Sequence, residues 1–334
     1  MDKLKLAIVG CGDIAAFTAL VSRLVPQVSL AACCDVDAER AGQFARRFGI
    51  PRVSTDYTEL LGNAAVDAAY LAVPHHLHYE MVLAFIRAGK AVFVEKPVTR
   101  TLAEGLELVE VIRNSQVKVG VNYQYRYDRA CYPLARAIQA GELGKVHSLR
   151  INIPWHRTQA YFDKAPWHKR IAQAGGGTLI TQGSHLLDIA LWALGDAPIS
   201  AMGYTASLAF DVEVEALAHG IVETASGTLV SITSSMVAAS EQALTIEAYG
   251  ERGTARYRNL PWPAVKFVGV KTRKPRPPGW GVHALQRSLA GFARWVLADQ
   301  PFLIPAESTL PVLAAVDGIY RSAVQGRRVS IASL

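Results

Sequence analysis

Short apolar runs alternate with amphipathic stretches through the first 122 residues. The runs at 4–9, 28–34, 68–73, 91–94 and 118–121 are almost wholly apolar, the pattern of strands buried on both faces. A shorter strand is marked by Val53. Between them, residues 14–24, 38–48, 57–61, 79–88 and 102–114 repeat apolar positions at helical spacing, and Thr101 with Glu104 forms a capping-box pair for the last. This alternation predicts a parallel sheet with helices on both faces. After residue 122 the pattern changes. A helix at 130–140 and a strand at 146–153 lead into a long loop, 154–176, and a further helical stretch. Runs at 199–208, 215–223, 228–235 and 243–249 then read as strands, and helices at 283–297 and 308–324 close the chain. The predicted class is α/β, with a parallel-sheet domain over residues 1–122. An α+β domain follows over 123–334, built on a large, mostly antiparallel open sheet with one face available to a partner.

The turn after the first strand reads Gly10-Cys11-Gly12-Asp13-Ile14-Ala15, and the second strand ends at Asp35, 23 residues after Gly12. In strand–turn–helix context this is a dinucleotide-binding fingerprint. Gly10 permits the tight turn, Gly12 lets backbone approach a pyrophosphate, and Ala15 allows close helix–strand packing. The helix start supplies amides and a positive dipole end for the phosphates. Asp35 is placed for ribose hydroxyls and opposes a 2′-phosphate, and it is followed by Val36 rather than arginine. NAD is therefore preferred over NADP, with Arg40 pulling the other way.

The fifth run ends abruptly in Glu95-Lys96-Pro97. A charged pair and a proline cannot continue a buried strand, and the break falls at the carboxyl edge of the sheet, where ligands bind in open α/β folds. Lys96 reads as active-site chemistry. The fourth run ends in Val73-Pro74-His75-His76-Leu77-His78. These histidines could surround a metal ion, but no cysteine or carboxylate cluster accompanies them. The preferred reading is a cofactor-lining loop without metal. The loop at 154–176 interleaves aromatic, amide and cationic residues, including Arg157, Gln159, Tyr161 and Trp167, a mixture suited to a sugar-like ligand. After the glycines at 175–177, the spacing of Thr181, His185 and Asp188 predicts one shared helical face. By itself His185 reads equally as a general base or a structural histidine.

Composition narrows the class without naming the chemistry. The 334 residues are 51% hydrophobic and 19% charged, which is globular. The net charge of +7 clusters visibly only at residues 271–276, without interleaved aromatics, so nucleic acid is not expected. No apolar run has the length of a membrane span, and the first residues lack a signal-peptide layout. The four cysteines show no C-x-x-C spacing and read as buried thiols of a cytoplasmic protein.

Taken in order, the Gly10–Ala15 turn, Glu95-Lys96-Pro97 and the glycine-rich approach to Gly183-Ser184-His185 resemble the Gfo/Idh/MocA family of NAD(P)-dependent sugar and cyclitol oxidoreductases. The resemblance implies a Rossmann domain followed by a domain whose open sheet mediates homodimers or homotetramers. It implies hydride transfer between nicotinamide and a hydroxyl-bearing carbon of a sugar, sugar derivative, nucleotide sugar or cyclitol. Lys96 would stand near nicotinamide and the substrate hydroxyl, His185 would be the general base or acid, and Pro97 could be cis. The cofactor would meet Gly10 to Ala15, Asp35, Val73, Pro74, His75, His78 and Glu95 to Pro97. The substrate would meet Tyr125, Arg126, Arg157, Gln159, Tyr161, Trp167, Thr181 and His185. The chain departs from the family pattern at His75, where asparagine is usual, and at Thr181, where an aspartate is common. Two rivals on the same scaffold are a glycoside hydrolase that oxidises transiently through held NAD, and a non-catalytic dinucleotide-binding regulator. Retention of both Lys96 and His185 opposes the regulator.

Overall fold

Six parallel strands make the first sheet: β1 (Leu4–Val9), β2 (Val28–Cys34), β3 (Val53–Ser54), β4 (Ala68–Leu71), β5 (Ala91–Val94) and β6 (Val119–Val121). Their order is β3-β2-β1-β4-β5-β6, the doubly wound Rossmann arrangement. The computed structural model describes residues 2–334 and divides the chain into two compact units. In the first, Val9, Leu71, Val94 and Val121 fall in one row across the sheet. The residues that follow them therefore leave the sheet along one edge: Gly10, Ala72, Glu95 and Asn122. Strand side chains such as Leu6, Ile8, Tyr70 and Phe93 have no exposed surface, as a sheet covered on both faces requires.

The sequence pattern places everything after residue 122 in the second domain. The structure instead returns Pro278–Glu307 to the first unit. The helix Ala284–Ala298 packs there, with Phe292 stacked on Phe93 at 5.0 Å between ring centroids. Periodicity identifies this helix but is silent about which sheet its apolar face covers.

The second unit holds an eight-stranded sheet: β7 (Val146–Pro154), β8 (Pro198–Ala206), β9 (Leu217–Thr224), β10 (Leu229–Ser235), β11 (Thr245–Gly250), β12 (Thr254–Arg258), β13 (Ala264–Val268) and β14 (Val329–Ser330). The order is β13-β12-β11-β7-β10-β9-β8-β14, antiparallel except for the β7–β10 pair. Alternate residues of β7, β9 and β10 face inward, among them Leu149, Ile151, Val222, Val230 and Ile232. Helices Cys131–Gln139, Ser184–Leu194 and Leu310–Gln325 pack on this sheet or on one another. The strands β12 to β14 escape the hydrophobic pattern; β13 and β14 lie at the two edges, where burial leaves little apolar signature. No helix of the described residues is long and apolar enough to cross a membrane.

One buried group organises the turn that leads to His185. Glu215 accepts hydrogen bonds from the amides of Gly177 at 2.6 Å and Leu179 at 2.9 Å, and from the Tyr320 hydroxyl at 2.9 Å. Burial pushes its carboxyl pKa upward, against these donors. The glycines answer the same contact: a Cβ on Gly177 would lie 1.9 Å from the Glu215 carbonyl oxygen, and one on Gly176 would lie 2.1 Å from the Tyr320 hydroxyl. Gly177→Ala is therefore expected to lower stability by ~1–3 kcal/mol, read as a lower urea midpoint. Gly62→Ala, with nothing within 4 Å of its Cβ, should stay within ~0.5 kcal/mol of the parent.

Candidate active site

The turn after β1 separates two uses of glycine. Gly10 has φ +86° and donates to the Cys34 carbonyl at 2.8 Å. A Cβ there would meet the Ala72 carbonyl oxygen at 2.3 Å, so fold geometry alone demands glycine. Gly12 has nothing within 4 Å of where its Cβ would stand. That open space adjoins the start of helix Asp13–Ser22, which has no side-chain cap. Uncapped amides beside a vacant Cβ position fit a dinucleotide pyrophosphate. Ala15 is fully buried, while Ile14 is partly exposed. Asp35 joins the turn to the end of β2. One carboxylate oxygen accepts from the Cys11 amide at 2.8 Å; the other accepts from the Asp37 amide at 3.0 Å and from Arg40 Nη1 at 3.4 Å. Arg40 also pairs with Asp37 at 3.3 Å.

The histidine loop is only partly available to a ligand. His78 has no exposed surface, and its ring nitrogens lie 2.8 Å from the Pro97 carbonyl and 3.0 Å from the Val73 carbonyl. Burial pushes its pKa down to about 4, so the ring is neutral and donates to only one of the two. His78, expected to line the cofactor, ties the Val73–Pro74 turn to the Glu95–Pro97 turn from inside. His75 is nearly buried beside it, with ring centroids 5.6 Å apart.

At the end of β5 the Lys96–Pro97 peptide bond is cis. Lys96 is half-buried. Burial lowers its pKa to about 8, opposed by the neighbouring Glu95 carboxylate, which leaves the amine within reach of proton transfer near neutral pH. Tyr125 and Arg126 lie in the turn Gln124–Tyr127 of the same unit. Arg126 is only 2% exposed, and its Nη1 donates to the Leu303 carbonyl at 2.8 Å, an arrangement that holds backbone.

In the second unit, His185 is partly exposed near the start of helix Ser184–Leu194. The uninterrupted helix predicted to carry Thr181, His185 and Asp188 is broken in two. Thr181 belongs to the preceding turn, Leu179–Gly183, which closes in π-helical fashion and breaks the regular angular register. Its hydroxyl lies 2.6 Å from both the Gly177 carbonyl and Gln182 Oε1, and both Thr181 and Asp188 are buried.

Of the loop residues singled out from the sequence, three assemble. The Arg157 guanidinium lies 4.1 Å from the Trp155 ring centroid and 5.0 Å from that of Tyr161. His168 packs between Tyr161 and Trp167 at 4.8 and 3.6 Å. Gln159 faces elsewhere: its Oε1 accepts from the Asp211 amide at 3.0 Å and its Nε2 donates to Asp163 at 3.2 Å. Glu215 and Tyr320 were not legible as contributors, since a lone acid at the start of a strand and a tyrosine in a late helix carry no spacing signal.

Known proteins resemble this chain in both of its domains. Residues 4–123 match the oxidoreductase family model with an NAD-binding Rossmann fold, and residues 133–256 match the GFO/IDH/MocA C-terminal domain. The 1,5-anhydro-D-fructose reductase of Ensifer adhaerens is 30% identical over 67% of this chain and 66% of its own length. The myo-inositol 2-dehydrogenase of Thermotoga maritima is 27% identical over 75% and 74%. The WlbA dehydrogenase of Chromobacterium violaceum, solved with NADH and UDP-GlcNAcA, superposes with a TM-score of 0.88 at 27% identity, covering 99% of this chain and 97% of that one. The chain belongs to the GFO/IDH/MocA family of oxidoreductases, an NAD-binding Rossmann domain followed by the family's C-terminal domain.

Proposed function

We propose that the protein transfers hydride between NAD and a hydroxyl-bearing carbon of a sugar, sugar derivative, nucleotide sugar or cyclitol. The observation that carries this reading is Lys96: a half-buried amine of lowered pKa, presented from the same sheet edge as the dinucleotide turn. The activities named for the reductase and inositol dehydrogenase relatives support the substrate class. NAD, when bound, supplies the hydride acceptor. In the oxidative direction His185 takes the hydroxyl proton, and protonated Lys96 donates a hydrogen bond that stabilises negative charge developing on substrate oxygen. Arg157, Tyr161 and Trp167 contribute ring faces and donors to the sugar. The four buried, unbridged cysteines suit a reducing, cytoplasmic setting.

The preference for NAD over NADP rests on Asp35. Its carboxylate occupies the end of β2 and holds Arg40, which also pairs with Asp37, leaving that guanidinium less ready to meet a 2′-phosphate. We also assign homo-oligomer formation to the uncovered face of the second sheet. Met202 (53% exposed), Tyr204 (67%) and Ile221 (49%) stand there on adjacent strands, an apolar group that association would bury.

A panel of sugars, sugar acids, inositols and nucleotide sugars followed at 340 nm tests the activity; stoichiometric NAD binding with no turnover on any of them would refute it. His185→Asn should lower turnover by about 10²–10⁴-fold. In the oxidative direction kcat/KM should fall as pH rises through about 8, because deprotonated Lys96 loses the positive charge that stabilises the developing oxyanion. Lys96→Arg should move that limb upward, and Lys96→Ala should abolish most of the rate. Asp35→Ala should weaken NAD more than NADP by titration calorimetry, and equal losses would sink the ribose assignment. Ile221→Lys should shift the light-scattering mass toward a smaller species; an unchanged assembly would place the interface elsewhere.

A further inference from the structure

Glu95 is the last residue before Lys96, and two donors meet one oxygen of its side chain. Its amide donates to the Leu71 carbonyl at 2.9 Å, so strand pairing continues to the residue before the lysine. Its Oε1 then accepts from the Tyr70 hydroxyl and, at 2.7 Å, from Asn122 Nδ2. One donor lies in β4 and the other directly follows β6, the two strands that flank β5. Behind Tyr70 stands Thr18, whose Oγ1 is 3.0 Å from the tyrosine oxygen. Thr18 lies on the helix that leaves the dinucleotide turn.

Neither donor is explained by packing. Tyr70 has no exposed surface and sits among Ala68, Ala69, Leu71 and Phe93, where phenylalanine would bury the same ring without a hydroxyl to satisfy. Burial and the Glu95 carboxylate hold the Tyr70 phenol far above its ordinary pKa, so it remains a donor. Asn122 is equally buried, and its Oδ1 has no hydrogen-bond partner. Turning the amide over would set its oxygen against the carboxylate, so the orientation is dictated by Glu95. A buried acceptor left without a donor is a destabilising feature that calls for a reason. The amide's donation to Glu95 supplies one.

We propose that Tyr70 and Asn122 are positioning residues for the reaction, clamping the Glu95 carboxylate from both sides of β5 and thereby fixing the turn that presents Lys96. The proposal rests on the role given to Lys96 above. It makes the aim of the amine a property of the sheet, and Thr18 extends the same chain of hydrogen bonds to the cofactor-binding helix.

The test is a double-mutant cycle in single-turnover hydride transfer, with NADH affinity measured separately by fluorescence. Tyr70→Phe alone should slow transfer between about tenfold and 100-fold, the range for losing a group that orients a reacting residue. NADH affinity should hold within about twofold, since no cofactor contact is removed. In a Lys96→Ala background the same substitution should change the residual rate by less than about twofold, because a group acting through Lys96 has nothing left to orient. Asn122→Leu should repeat this pattern and serves if Tyr70→Phe folds poorly. Equal losses with and without Lys96 would mean that the clamp supports only the fold, and an unchanged rate in both single variants would also overturn it. Full turnover by Lys96→Ala alone would instead remove the role of Lys96, an outcome visible before the cycle is closed.

Discussion

A carboxylate withdrawn from water must be met by donors, and the elements proposed for function hang on three such acids. Asp35 gathers the Cys11 and Asp37 amides, Glu95 gathers Tyr70 and Asn122, and Glu215 gathers the Gly177 and Leu179 amides with Tyr320. Each set joins a loop to a neighbouring element, so the loop inherits the rigidity of the sheet or helix beside it. The loops concerned carry the dinucleotide turn, Lys96 and the approach to His185. Removing a donor from such a site leaves a poorly solvated acid in place, which is why these contacts restrain the backbone more firmly than their number suggests.

The two units solve this problem with different sheets. In the first, four strand ends fall in one row, so consecutive loops emerge together at an edge whose strands are almost wholly apolar. In the second, the mixed sheet leaves one face open, and the helix bearing His185 starts from a π-helical turn. Such turns are common at functional sites because they displace a side chain from regular helical register. The glycines before it are required by close approach to Glu215 and Tyr320, which explains a glycine-rich stretch that need not contact a ligand.

Much of the first sheet was legible because strands buried on both faces must be written in apolar residues. The dinucleotide turn was legible because its glycines and acid have fixed offsets. The histidine loop has a second role that spacing does not record. Three histidines after a strand resemble ligand contacts, yet His78 is an internal strut between two carbonyls. Arg126 reads as a substrate cation, and its guanidinium donates to the Leu303 carbonyl from a buried position. In both cases the polar group's partner lies far away along the chain or within a neighbouring turn, and spacing carries no record of it.

What the sequence determined by itself was local: which runs become strands, where the Gly10–Ala15 turn falls, and that Lys96 ends a buried run. Those features depend on periodicity and on the backbone demands of glycine and proline, both written in consecutive residues. Only the tertiary structure decided that the helix Ala284–Ala298 covers the first sheet, and that Glu215 anchors the turn before His185. It alone put Tyr70 and Asn122 on either side of Glu95. Those decisions belong to strand order and to the closure of segments distant in the chain, where burial selects each polar partner by position in space and not by position in sequence.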